Sequence, residues 1–113
     1  MHSKELLKGT LKTIILKLLR EHGRMYGYEI TQKVRVLTSG ELVITEGALY
    51  PALHKLERDQ LVRTEQEYIG RRVRRYYSLT PLGEQAVGQK VREFDAFVQM
   101  MRQILSPSTA TDD

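Results

Sequence analysis

From Val87 to Leu105 the apolar residues Val87, Val91, Phe94, Val98, Met101 and Leu105 recur at a strict 4-3-4-3-4 spacing. That is the stripe of one long helix. Its heptad period makes a narrow seam, unlike the broad face that beds a helix into a globular core. Phe97 and Ile104 widen it. A chain of 113 residues offers little upstream that can cover so long a stripe. Left bare, it is an apolar patch too large for a soluble monomer. A second copy of the chain, related by a two-fold axis, is the simplest cover. The seam residues expected to form this homodimer are Val87, Val91, Phe94, Phe97, Val98, Met101, Ile104 and Leu105. The alternative is a helix folded back on its own domain.

The length suits one domain with a modest core. Hydrophobic residues make up 41% and charged residues 28% of the chain, which fits a globular protein and not a disordered one. The longest apolar runs, such as Ile14-Ile15-Leu16, fall far short of a membrane span. Lys8, Lys12 and Lys17 interrupt any signal-peptide core behind Met1-His2-Ser3. With no cysteine, disulfides and thiolate metal sites are excluded. A cytoplasmic protein is the expectation.

Upstream of the seam the pattern reads as short elements. Leu7, Leu11, Ile14, Ile15, Leu18 and Leu19 form a helical stripe after a possible Ser3 cap, closing at His22-Gly23. A second helix runs from about Gly27 to Leu37, with Ile30, Val34 and Leu37 on its buried side and no clean N-cap. Thr38-Ser39-Gly40 breaks it, and Leu42-Val43-Ile44 is short and β-prone. Thr45 can cap a third helix whose inner face is Leu49, Leu53 and Leu56, ending near Asp59-Gln60.

The period then switches to two. Leu61 to Tyr68 and Val73 to Leu79 read as strands, joined by Ile69-Gly70-Arg71-Arg72. Thr80-Pro81 opens the long last helix, with Thr80 as N-cap, Pro81 at the first helical position and Glu84 near its positive end. Three helices, a basic hairpin and a long helix make a mainly α fold with a small β-hairpin, the winged helix-turn-helix arrangement. The expected organisation is a DNA-binding domain over 1–80, a dimerisation helix over 81–105 and a disordered tail over 106–113.

The net charge is +4. Its distribution says more: Ile69 to Tyr76 holds Arg71, Arg72, Arg74 and Arg75 and no acid. Such a tip can enter a narrow minor groove or grip phosphate. The competing reading is a charged edge that deters sheet-to-sheet aggregation. Arg74 shares a strand face with Arg72 and Tyr76, while Arg75 falls on the presumed inner side, where it fits poorly.

The outer face of the third helix carries Gly47, Tyr50, Pro51, His54, Lys55 and Arg58. A proline inside a helix costs about 3 kcal/mol and removes one backbone hydrogen bond. Gly47 and Pro51 are expected to keep the leading turns slim enough for the backbone to approach a DNA groove; a tolerated kink is the plainer reading. His54 and Lys55 can donate to guanine edges, and Thr45 or Ala48 can meet a thymine methyl. Tyr50 can reach a phosphate with its hydroxyl. The chain has no asparagine, so the Asn–adenine pairing is absent.

His2, His22 and His54 have no metal-ligand spacing, and no phosphate loop or nucleophile motif is visible. No enzymatic activity, metal or cofactor is expected. The rival functions are a winged helix for protein contact, which would need an apolar third-helix face, and an RNA-binding one, which would not need a symmetric dimer.

The segment Gly47-Ala48-Leu49-Tyr50-Pro51-Ala52-Leu53-His54-Lys55-Leu56-Glu57 resembles the recognition helix of the PadR family of transcriptional regulators. Gly27-Tyr28-Glu29-Ile30 is similar to that family's second-helix start, and Lys8-Gly9-Thr10-Leu11 to its first helix. Arg74-Arg75-Tyr76-Tyr77-Ser78-Leu79-Thr80-Pro81-Leu82-Gly83 resembles its wing strand and the turn into the last helix. The resemblance implies a winged-helix repressor, dimeric through the C-terminal helix and often released from double-stranded DNA by a small-molecule effector; the two-fold symmetry of the expected dimer would set two third helices in successive major grooves of a palindromic operator. The resemblance also implies DNA contacts around Gly47, Tyr50, His54, Lys55, Arg71 and Arg72. In some short members planar ligands sit between tryptophans at the dimer centre; this chain has none, so Phe94, Phe97 and Met101 are expected chiefly to pack, with a weaker apolar pocket as their other role.

Overall fold

The computed structural model describes residues 4–107. The Ser3 cap and residues 108–113 of the expected tail lie outside the described residues. In chain order the elements are α1 (Lys4–His22), β1 (Met25–Tyr26), α2 (Gly27–Leu37), α3 (Glu46–Arg58), β2 (Val62–Ile69), β3 (Arg72–Leu79) and α4 (Pro81–Leu105).

Each boundary has a local cause. Gly23, at φ +77°, closes α1 by donating to the Leu19 carbonyl at 3.0 Å. No cap side chain precedes α2; instead the Glu29 carboxylate reaches back to accept from the Tyr26 N–H at 3.0 Å, the returning half of a capping box. Thr45 accepts from the Ala48 N–H and starts α3. Thr80 accepts from the Gly83 N–H at 3.0 Å with Pro81 beside it. Its hydroxyl also donates to the Gln60 carbonyl at 2.6 Å, tying the start of α4 to the end of α3.

The buried core draws on every layer: Ile15 and Leu16 from α1, Ile30 from α2, Leu49, Leu53 and Leu56 from α3, Val62 and Tyr77 from the sheet. The sheet is antiparallel with order β1-β3-β2. Its third strand differs from the expectation. Met25 and Tyr26 pair with Tyr77 and Tyr76, whereas Leu42-Val43-Ile44 joins no strand. Ile44 is buried in the core without a ladder, because β propensity reflects side-chain fit to a surface more than backbone preference.

In the hairpin Ile69 pairs with Arg72, which leaves Gly70-Arg71 as a two-residue turn. Gly70 alone has positive φ, +63°, as a type II′ turn requires at its first central position. The register also explains Arg75. It shares a face with Tyr77, but the strands outrun the core, so Tyr77 is buried while Arg75 and Val73 are exposed.

Close packing pins α4 to the sheet: a Cβ at Gly83 would collide with the Leu61 carbonyl. Val87, expected on the dimer seam, is instead 1% exposed within the subunit's own core. The first two turns of α4 lie over α1 and the sheet, so the heptad stripe begins as intramolecular packing. Val91 also packs against that core. Beyond it Phe94, Phe97, Ile104 and Leu105 stand 40, 51, 68 and 75% exposed, and the molecule extends to 67 × 30 × 21 Å.

Candidate nucleic-acid interface

With Leu49, Leu53 and Leu56 inward, helical periodicity turns the other side of α3 to solvent. Thr45, Gly47, Pro51, His54, Lys55 and Arg58 are exposed there, and Ala48 is half-buried. Around Gly47 there is open space: only the Thr45 hydroxyl oxygen comes within 4.0 Å of where a Cβ would stand. Pro51 has no N–H for the Gly47 carbonyl, yet both residues sit on the open side of the helix, where that carbonyl can be hydrated.

Tyr50 departs from the expected open face. It is half-buried against the core, and its hydroxyl lies against Gly27, where any Cβ would overlap it. Aromatic bulk on the flank of α3 finds room only because α2 begins with a glycine. Tyr50 thus joins the two helices and presents only part of its surface.

The hairpin delivers Arg71 and Arg72, both exposed, to its tip. Arg74 is not with them. It is half-buried, with its guanidinium 4.0 Å over the Tyr26 ring and 3.4 Å from the Tyr76 hydroxyl, to which it donates. That hydrogen bond raises its pKa above the ordinary arginine value.

Around it lies a cluster that sequence reasoning missed. Tyr26 and Tyr76 meet edge to face at 5.5 Å. Arg24 stacks 4.0 Å over Tyr76 and bridges two carboxylates of β2, Glu65 at 3.2 Å and Glu67 at 2.9 Å. The hydrogen bond to Glu67, with help from Glu65, raises the Arg24 pKa against a smaller opposing effect of burial. The only signal in the sequence is the strand register, which sets Glu65 opposite Tyr76 and Glu67 opposite Arg74.

Two grooves flank α1. One, of about 780 Å³, runs between α1 and α3; its rim holds Lys4, Lys8, Lys12 and Lys55, and its floor is mostly apolar. The other, of about 1220 Å³, runs between α1 and the outer half of α4 and is lined by Leu6, Leu7, Phe94, Phe97, Val98 and Met101 among others. Among the described residues no group of histidine, aspartate and glutamate could hold a metal ion. No described helix is long and apolar enough to cross a membrane.

The same architecture occurs in known proteins. A transcriptional regulator from Clostridium thermocellum superposes with a TM-score of 0.84 at 32% identity, covering 91% of this chain and all of that one. Bacillus subtilis PadR, solved in complex with operator DNA, gives a TM-score of 0.65 at 28% identity over 72% of this chain and 46% of its own. A transcriptional regulator of Mycobacterium tuberculosis is 37% identical over 68 residues, 60% of this chain and 61% of that protein. Residues 15–89, from the middle of α1 into the buried start of α4, match the Transcriptional regulator PadR-like family. This winged helix-turn-helix chain therefore belongs to the PadR-like family of transcriptional regulators.

Proposed function

We propose that the chain represses transcription as a homodimer bound to a palindromic double-stranded operator, and that a small molecule relieves the repression. One observation carries the reading: α3 buries a complete leucine face and leaves His54, Lys55 and Arg58 exposed, beside a hairpin that ends in exposed Arg71 and Arg72. His54 and Lys55 would read guanine edges, with Thr45 and Ala48 near a thymine methyl. Gly47 and Pro51 would let the helix backbone approach. Arg71 and Arg72 would take phosphate or a minor groove, while Tyr50, its hydroxyl packed against Gly27, would hold α3 in place on α2 rather than reach a phosphate. Arg74 serves this reading as a brace for the wing rather than as a tip contact. That a neighbour of the same fold was solved on operator DNA supports the choice of partner.

The dimer reading is supported by the exposed apolar residues on the outer half of α4, Phe94, Phe97, Ile104 and Leu105, with half-buried Val98 and Met101 between them. A two-fold pair would set the two α3 helices in successive major grooves. Residues 4–80 and the first turns of α4 then form the reading unit, and the rest of α4 the coupling. The apolar groove beside Phe94, Phe97 and Met101 is where a small molecule would shift the two subunits.

A gel shift with DNA from upstream of the chain's own coding sequence, against random duplex at moderate salt, tests the reading. Preferential retardation of the upstream fragment is expected. Equal affinity for both fragments would refute operator recognition, and preferential binding of RNA would transfer the surface to another partner.

A further inference from the structure

Glu65 and Glu67 are the only acids on the two wing strands. They occupy the same face of β2, because alternate residues of a strand point the same way. Both are more than a third exposed, and so is the Arg24 that bridges them. Exposed ion pairs add little to stability, so stability does not account for one guanidinium on two carboxylates and an aromatic ring at once. Position does. Glu67 is two residues from Ile69, the partner of tip residue Arg72. At strand rise that is about 7 Å, within the screening length of roughly 8 Å at physiological salt. A bare Glu67 carboxylate there would oppose the attraction of Arg71 and Arg72 for any polyanion, and Glu65, two residues further from the tip, would add to that opposition more weakly.

We propose that Arg24 is a positioning residue of the wing: it masks Glu65 and Glu67 and clamps β2 to the Tyr76 face of β3, without itself touching DNA. Arg24 comes from the link between α1 and β1, so the clamp fastens the hairpin to the helical core. Among the described residues, the ion pairs of both carboxylates are made by Arg24. Arg74, directly across from Glu67, is turned away to Tyr26 and Tyr76, and the cation that Glu67 needs arrives from outside the hairpin. The proposal rests on the DNA-binding reading above, and its test separates the two.

The full chain is titrated against a labelled mixed-sequence DNA duplex at moderate salt. Arg24→Ala is expected to weaken binding about three- to tenfold. Adding Glu65→Gln and Glu67→Gln to Arg24→Ala should restore affinity to at least the wild-type level, because nothing is left to mask. A charge-matched control, Glu84→Gln and Asp95→Asn on the Arg24→Ala background, should restore little, since those sites lie on α4, a full strand length or more from the wing tip. Arg24→Gln, which keeps most of the side chain over Tyr76, is the second variant should Arg24→Ala fold poorly. Unchanged binding by Arg24→Ala, a triple variant as weak as the single one, or equal rescue by the control would each overturn the masking role while wild-type binding stands. A wild-type chain with no affinity for duplex would instead remove the DNA reading, and this proposal with it.

Discussion

Gln60 holds φ at +63°, a left-handed conformation that costs an L-residue roughly 1–2 kcal/mol. It does so because it stands one past the cap of α3. There its N–H meets the Glu57 carbonyl at 3.0 Å and the Leu61 N–H meets the Leu56 carbonyl at 2.9 Å, the paired bonds of a Schellman ending. Glycine is the residue this position favours. Gln60→Gly is therefore expected to raise stability by a few tenths to about 1 kcal/mol, the relief being partly offset by glycine's extra freedom when unfolded. A higher urea midpoint at unchanged slope would show it. Tyr77 makes a second case. It is 1% exposed, and burial pushes its phenol above the usual value of 10.0, with Arg75 opposing. Below that value the phenol is neutral in both states and its burial contributes fully. As pH rises through 10 and on to the folded value, the unfolded chain ionises first, so stability falls. Tyr77→Phe should lose that part of the alkaline decline. A wild-type and a Phe variant with parallel stability curves above pH 10 would contradict the assignment.

At the scale of elements, α3 and the wing carry separable parts of the proposed interface. Arg71→Ala with Arg72→Ala should weaken duplex binding and flatten its salt dependence, because each lost phosphate contact releases fewer counterions. An unchanged salt slope would mean the tip does not reach the backbone. On α3, Gly47→Leu should fold normally, since the space beside Gly47 is open, yet lose operator affinity if close backbone approach matters. Retained affinity would assign Gly47 to a tolerated helix start. Helices and hairpin were legible in the sequence because each repeats its period long enough to register: Leu49, Leu53 and Leu56 on α3, alternation on β2 and β3, Thr80-Pro81 at the head of α4. What escaped was short or cooperative. β1 has only two residues, too few for any period. The cap of α2 comes from Glu29, inside the helix. Tyr50 was expected on an open face and lies against Gly27, a contact between different helices. Arg24 meets Glu67 across 43 positions of chain, and only a known register brings them together.

For the whole molecule the decisive question is where α4 stops serving its own subunit. A uniform heptad stripe concealed the division, since the spacing of Val87 and Val91 is the same as that of Phe94 and Val98, although Val87 is sealed in the core. Exposure draws the line near Phe94, and two substitutions can test it. Val87→Asp places a charge where the core has no partner for it, which typically costs several kcal/mol; the subunit is expected to unfold. Phe94→Asp meets solvent on one side already, at 40% exposure, so its subunit should keep its helical signal while losing the apolar contact a second copy needs. Sedimentation should then show folded monomers. Their operator affinity should fall steeply, because one reading head loses the effective concentration that coupling to the other provides. An intact dimer in Phe94→Asp would move the interface elsewhere, and an unfolded one would extend the subunit's core past Val91. A folded monomer that still bound a full palindromic site as tightly as wild type would show that the rods do not set the spacing of the heads.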